Sequence, residues 1–282
     1  MEKILVTGAN GQLGSELNVL SSNYPQHEWV FADRTKITLD NLDLLKTQLS
    51  EIQPTIILNC GAYTAVDKAE TEKELAFTIN NAAVALIAKY AFENNAKLIH
   101  ISTDYVFDGL SSIALNEEAE TNPINIYGES KRAGEIACLS ENPNSIILRT
   151  SWVYSKFGNN FVKTMQRLMQ EKESINVVND QVGSPTYAAD LAQAMIDIIN
   201  FSTWVPGIYN YSNEGEISWH EFALTIKEFG EYKCIVVGIP SASYPTPAKR
   251  PNFSLLDKKK IKEVYNLDIP DYQESLKKMF IK

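Results

Sequence analysis

The stretch Lys3-Ile4-Leu5-Val6-Thr7-Gly8-Ala9-Asn10-Gly11-Gln12-Leu13-Gly14 decides the fold. It opens with one charge and an apolar, β-branched run, the composition of a short buried strand. Three glycines spaced three apart follow, and a helical pattern begins where they end. Glycine lets the backbone turn tightly and approach a pyrophosphate, whose charge is favoured by free amides at a helix N-terminus. Three such glycines also occur in ordinary loops. Their place at a first βα junction, near the N-terminus, favours a dinucleotide ligand.

Working outward, β-branched runs at Lys3 to Thr7, Glu28 to Ala32, Thr55 to Cys60, Lys97 to Ser102 and Ser145 to Thr150 alternate with amphipathic stretches. Leu42, Leu45, Leu49 and Ile52 share a helical face that Pro54 terminates. A longer helix is expected from Thr71, with Glu74 completing a capping box. Alternating strands and helices specify an α/β chain with a Rossmann-like, doubly wound parallel sheet. After Thr150 the rhythm loosens, with turn-rich segments at Asn179 to Pro185, Asn213 to Glu216 and Ile239 to Pro251. Helices are expected again near Asn160 to Gln170, over Ala188 to Asn200, and from Ser218, which pairs with Glu221 in a capping box. The expected division is a nucleotide-binding domain over 1–151 and about 187–214, and a smaller C-terminal substrate-binding lobe over 152–186 and 215–282.

With 282 residues, 44% apolar and 22% charged, the chain can build a substantial core. Its net charge of −9 disfavours nucleic acid as a partner, and the one dense basic group, Lys258 to Lys260 with Lys262, has little aromatic interleaving. Apolar runs such as Ala82 to Ala88 are too short to span a bilayer, and the N-terminus has no signal-peptide pattern, so a cytoplasmic enzyme without a membrane partner is expected. Cys60, Cys138 and Cys234 fit neither a disulfide framework nor a zinc site. His27, His100 and His220 are too few and too scattered for a catalytic transition metal or a histidine-based triad, and His100 reads as a core residue.

Asp33 closes the second strand nineteen residues beyond Gly14, where an acid can accept the ribose 2′-hydroxyl of NAD. Arg34 beside it can pair with the 2′-phosphate of NADP, so NADPH and NADH both stay open. Tyr127 and Lys131 lie four apart, on one face of an expected helix. A reductase must protonate its carbonyl oxygen as hydride arrives, and a tyrosine beside an ammonium can do so. The spacing alone is weak, since chance supplies such a pair in a chain this long. Its placement after the fourth strand, which ends Ser102-Thr103-Asp104-Tyr105, puts it at the carboxyl edge where ligands of open sheets bind.

The glycine turn, the hydroxyl residue closing the fourth strand and the YxxxK pair together resemble the extended short-chain dehydrogenase/reductases. Within them, Ser102-Thr103-Asp104-Tyr105-Val106-Phe107-Asp108-Gly109 and Ala62-Tyr63-Thr64-Ala65-Val66-Asp67-Lys68-Ala69-Glu70 are similar to the dTDP-4-dehydrorhamnose reductase family. So are Arg149-Thr150-Ser151-Trp152-Val153-Tyr154, Gly158-Asn159-Asn160-Phe161, Asp180-Gln181-Val182-Gly183-Ser184-Pro185-Thr186, and Arg250-Pro251 with Ser254 and Leu256. The resemblance implies NADPH- or NADH-dependent reduction of the 4-keto group of dTDP-4-dehydro-L-rhamnose, for rhamnose-containing surface polysaccharide. It makes Thr103, Tyr127 and Lys131 the catalytic trio: Tyr127 donates the proton, Thr103 bonds the reacting oxygen, and Lys131 holds the nicotinamide ribose and depresses the tyrosine pKa. Gly8, Gly11, Gln12, Leu13 and Gly14 would surround the pyrophosphate, Asp40 and Asn41 would approach the adenine end, and Ala62, Tyr63 and Thr64 the nicotinamide ribose. Asp104, Tyr105 and Trp152 would face the sugar nucleotide, with Arg250 on its diphosphate. Outside the resemblance, Trp152 reads as a core aromatic and Arg250 as an exposed turn residue.

Gly61 stands where the family often has alanine. Some members are magnesium-bridged dimers; Glu16 and Asp190 match two of their acidic positions, but Gln273 stands at the third, beside Glu274, so the chain is expected to be a monomer or a homodimer with its magnesium dependence open. Two other readings stay open. The nucleotide-sugar epimerases and dehydratases share the glycine turn and YxxxK, although their turn usually reads GxxGFIG where Gln12 and Leu13 stand here. A regulatory subunit on the same fold, like that of methionine adenosyltransferase, would be non-catalytic.

Overall fold

A computed structural model describes residues 1–281 of the chain. Strands β1 (Lys3–Thr7), β2 (Glu28–Ala32), β3 (Ile56–Asn59), β4 (Lys97–Thr103), β5 (Ile146–Thr150) and β6 (Gly207–Asn210) form one parallel sheet in the order β6-β5-β4-β3-β1-β2. Strand order reverses between β1 and β3, which opens a crevice at their carboxyl ends. The alternation of β1 explains why it lies inside. Ile4 and Val6 pack with Leu17, Leu58, Leu191 and Met195 on one face, while Leu5 packs with Leu45, Ile57, Ile87 and Leu98 on the other. Each such side chain, fully buried, contributes about 1.5–3 kcal/mol of apolar transfer free energy.

The helix Leu42–Ile52 is capped by Asn41, whose side chain accepts the Leu44 N–H at 3.1 Å. The expected cap at Thr71 does not form. Thr71 donates its hydroxyl to the Lys68 carbonyl instead, closing the short turn Val66–Ala69, and the long helix starts at Lys73. That helix, Lys73–Glu93, is long and apolar enough to cross a membrane, yet Ala83, Val84, Ile87, Ala88 and Ala91 lie in the core. One π-turn, Thr78–Ala82, interrupts it and turns Asn80 inward.

A second core joins Tyr154, Val162, Met165, Ile175, Phe222, Ile226 and Leu276. Its helices Phe161–Glu171 and Trp219–Phe229 start where expected, on an Asn160 cap and on the Ser218–Glu221 capping box. The helix Ala188–Asn200 packs on the sheet through Leu191 and Met195. Ile261, Tyr265 and Ile269 also join the sheet's core, so the C-terminal segment crosses back from the lobe.

Candidate active site

The glycine turn is closed on itself. Gly8 has φ +65°, Gly11 N–H donates to the Gly8 carbonyl at 2.9 Å, and a Cβ at Gly14 would come within 2.4 Å of that same oxygen. A Cβ at Gly11 would meet only the Gly8 oxygen, at 3.1 Å, so this side of the turn is open. The helix Gln12–Ser21 begins there with no side-chain cap and no acid in its first turn, which leaves its amides to an anion. These features fit a dinucleotide pyrophosphate. The Gln12 side chain donates to the Val153 carbonyl at 3.3 Å and accepts from Asn160 at 3.0 Å, tying the turn to those segments.

Beneath the turn, a hydrogen-bonded chain crosses three strands. Gly61 N–H donates to Thr7 Oγ1 (3.0 Å), Thr7 donates to Asn59 Oδ1 (2.7 Å), and Asn59 Nδ2 donates to His100 Nδ1 (3.0 Å). His100 Nδ1 must then be the acceptor, and burial holds its pKa well below the ordinary value, so the ring is neutral. Its Nε2 has no partner among the described residues, so the core histidine is only half satisfied. A Cβ at Gly61 would come within 2.7 Å of Leu39 Cδ1, so leucine fills the space an alanine methyl would take.

At the adenine end, the exposed segment after β2 is organised by Asp33. Its Oδ1 accepts from the Thr35 N–H (2.9 Å) and hydroxyl (2.7 Å), and Oδ2 from Asn10 (3.3 Å). The Thr35 bonds hold its carboxyl below the ordinary range. Arg34 is exposed and unpaired among the described residues. Asp40 accepts the Thr38 hydroxyl, while Asn41 is spent on its helix cap.

Thr103 ends β4, and the helix Ile126–Glu141 brings Tyr127 and Lys131 over it. Asn125 caps this helix through the Gly128 N–H (2.8 Å) and reaches across to the Lys249 carbonyl (2.7 Å), while Glu70 accepts the Ile126 N–H (3.0 Å). Close approach depends on glycine: a Cβ at Gly128 would lie 2.2 Å from the Tyr105 carbonyl oxygen, and one at Gly134 2.0 Å from that of Asn80. Thr103 donates to Asp104 Oδ1 (3.0 Å) and accepts the Tyr105 N–H (3.2 Å). The Tyr105 and Tyr127 rings meet edge to face at 5.5 Å.

Electrostatically the trio differs from expectation. Burial pushes Tyr127 up to about 12, the neighbouring Thr103 hydroxyl opposes this, and the Asp104 charge adds to it. The Lys131 ammonium is aimed not at the phenol but at the Ile101 carbonyl oxygen (2.6 Å), and burial pulls it down to about 8. Burial is thus the largest influence on the phenol, and Lys131 is not among the groups that shift it here. Burial also pushes Asp104 up to about 6, with the hydroxyls of Ser254 and Thr103 opposing; its Oδ2 makes no hydrogen bond among the described residues.

Sequence reasoning missed Asn80. Its Oδ1 accepts the Tyr63 N–H (2.9 Å), and its Nδ2 donates to the Tyr63 carbonyl (3.0 Å) and the Ser130 hydroxyl (3.0 Å), so it clamps the Ala62–Thr64 stretch to the helix of Tyr127. The Tyr63 hydroxyl donates to Glu72 (2.6 Å). Trp152 has φ +49° and stacks on Trp219 with centroids 3.7 Å apart. Arg250 is not a free turn residue: it forms a bidentate pair with Asp67.

Glu16 accepts the Ser155 hydroxyl at 2.6 Å, while Asp190 is engaged by Lys278 (2.8 Å), Asn213 (2.8 Å) and Ser275. No three acidic, histidine or cysteine side chains of the chain converge as a metal site among the described residues. An ammonium already neutralises Asp190, so the donor set does not fit magnesium within one chain.

A glycine-rich βα turn facing a buried Thr-Tyr-Lys set at the carboxyl edge of a parallel sheet defines the class: a nucleotide-dependent reductase of the short-chain type. The chain matches the family described as RmlD substrate binding domain over residues 1–282, and it belongs to that family. It is 39% identical over 287 residues to the dTDP-4-dehydrorhamnose reductase of Aggregatibacter actinomycetemcomitans, covering 98% of both chains. Its identity to that of Sinorhizobium fredii is 40% over 288 residues, covering 98% of this chain and 96% of the relative. The crystal structure of a dTDP-4-dehydrorhamnose reductase from Bacillus anthracis in complex with NADP superimposes with a TM-score of 0.94 at 40% identity, covering 99% of this chain and 98% of that one.

Proposed function

We propose that this chain reduces the 4-keto group of dTDP-4-dehydro-L-rhamnose to dTDP-L-rhamnose with NADPH or NADH, supplying rhamnose for surface polysaccharide. The observation that carries the reading is the meeting of Thr103, Tyr127 and Lys131 at the end of β4, in a chain of this family. The reduced nicotinamide supplies hydride when bound. Gly8, Gly11, Gln12, Leu13 and Gly14 surround the pyrophosphate, the loop from Asp33 to Asn41 receives the adenosine end, and Ala62, Tyr63 and Thr64 border the nicotinamide ribose with Lys131. Tyr127 gives its phenolic proton to the carbonyl oxygen, and a pKa near 12 keeps that proton in place at neutral pH until charge develops on the substrate. Thr103 hydrogen-bonds the same oxygen, with Asp104, Tyr105 and Trp152 against the sugar nucleotide and Arg250 on its diphosphate. The protein works in the cytoplasm as a monomer or homodimer, without nucleic acid or membrane.

The test mixes the protein with dTDP-4-dehydro-L-rhamnose and NADPH or NADH and follows loss of the reduced nicotinamide absorbance. Consumption of cofactor with formation of dTDP-L-rhamnose is expected. Binding of both ligands without oxidation of the nicotinamide would overturn the reading.

A further inference from the structure

Asp67 holds Arg250 in a particular way. Its Oδ1 and Oδ2 accept from Nη1 (3.1 Å) and Nη2 (2.9 Å), Nη1 also donates to the Ala248 carbonyl (2.9 Å), and the Ala248 N–H returns to Asp67 Oδ1 (3.2 Å). A guanidinium has five N–H groups and two edges that each fit an oxyanion pair. Asp67 and Ala248 occupy the Nη1–Nη2 edge. The other edge, formed by Nε–H and the remaining Nη2–H, has no partner among the described residues. The guanidinium as a whole is within electrostatic reach of Tyr105, on the turn that begins at Thr103.

The two side chains are 24% and 41% exposed, so solvent discounts what the pair adds to stability, while its bidentate geometry fixes the orientation of the fork. Asp67 also belongs to the segment that carries Ala62 to Thr64 and Glu70, so it fixes Arg250 relative to the cofactor end and to the start of the Tyr127 helix. We propose that Asp67 is a positioning residue for the substrate: by filling one edge of the Arg250 fork it presents the other, Nε–Nη2, to the sugar-nucleotide diphosphate. This rests on the reading above that Arg250 takes the diphosphate. Two effects of Asp67 oppose each other. Its charge repels the diphosphate, an effect salt screens, while its bonds restrict a long side chain whose ordering otherwise costs affinity.

The experiment measures KM and kcat for dTDP-4-dehydro-L-rhamnose, and Kd for dTDP, in Asp67→Ala, Arg250→Ala and the double variant, at low salt and on the order of 0.3 M salt. Asp67→Ala is expected to raise KM about five- to tenfold at the higher salt, with kcat and the Kd of NADPH nearly unchanged, and the ratio to the parent should grow with salt. The double variant should bind dTDP no worse than Arg250→Ala alone. If at the higher salt Asp67→Ala lowers KM, or leaves it unchanged while Arg250→Ala raises it, the positioning role is overturned. If Arg250→Ala leaves both KM and the Kd of dTDP unchanged, the diphosphate reading itself fails. Should Asp67→Ala not fold, Asp67→Asn, which keeps the shape and one acceptor, is expected to raise KM in the same direction by about two- to threefold, and an unchanged or lower value overturns the proposal equally.

Discussion

The two ends of the cleft are built on opposite physical terms. At the hydride end, Thr103, Asp104, Tyr127 and Lys131 are between 2% and 9% exposed, and burial is the largest cause of every shifted pKa there. At the ligand-anchoring ends, Arg250 (24% exposed), Asp67 (41% exposed), Asp33 and Arg34 all reach solvent, and direct hydrogen bonds set the carboxyl groups. Low dielectric makes a single charge at the first end expensive and consequential; solvent and salt discount it at the second. Substitutions should therefore separate by end, in size and in salt dependence.

The largest effect should come from Tyr127. Tyr127→Phe keeps the ring that packs on Tyr105 and removes only the proton donor, so kcat is expected to fall on the order of 10² to 10⁴ while the Kd of NADPH stays near that of the parent. Single-turnover kinetics with calorimetry checks both, and near-normal turnover would remove Tyr127 from the chemistry.

Asp104 gives the comparison a stability readout. Its pKa rises from 3.8 to about 6 on folding, so between those values the native state binds more protons than the unfolded chain. This contribution is present in full below about pH 4 and is lost as pH rises through 6. Asp104→Asn, neutral throughout, should therefore be more stable than the parent at pH 7 to 8, by up to roughly 3 kcal/mol, and lose that advantage near pH 4. Denaturant melts across pH would show a constant difference if burial of this charge were not the cause.

Arg250→Ala should lower kcat/KM for the sugar nucleotide roughly ten- to a hundredfold, with dinucleotide affinity nearly unchanged, because a charge-assisted anchor remote from the carbonyl helps align it. Arg250→Lys should recover part of the loss, since an ammonium cannot reproduce the planar fork. Calorimetry showing weaker dinucleotide binding and unaltered sugar-nucleotide binding would reverse the assignment of the two ends.

What could be read from the sequence follows the same division. Local rules placed β1, β2, the glycine turn, the helix Ala188–Asn200 and the Ser218–Glu221 box, because strand period, helix period and capping act within a few residues. Thr103, Tyr127 and Lys131 were legible because one strand end and one helix carry them. Asp67 met no local rule, since its partner lies 183 positions away and only the return of the Ala248–Arg250 segment creates it. Asn80 was hidden by the π-turn, which breaks the period a helical reading relies on. Thr71 does not serve as the cap because the chain still turns there, with its hydroxyl on the Lys68 carbonyl, and the helix begins two residues later at Lys73, an offset that sequence spacing does not reveal.

The smallest effect should come from the exposed pair after β2. A 2′-phosphate gains from the Arg34 guanidinium and suffers from the Asp33 carboxylate, whereas a free 2′-hydroxyl is served by the acid. Arg34→Ala should weaken NADPH more than NADH. Asp33→Ala should do the reverse, with a complication the geometry supplies: Asp33 also holds Thr35 and Asn10, so its loss loosens the loop and costs both cofactors something. The sharper substitution is Asp33→Asn, which keeps an acceptor for Thr35 while deleting the charge. It should improve NADPH relative to NADH by about fivefold at low salt, and the gain should shrink as ionic strength rises, because both groups face water. A preference shift that is insensitive to salt would mean that Asp33 acts through the shape of the loop, and equal effects on both cofactors would mean that neither side chain reads the 2′ position.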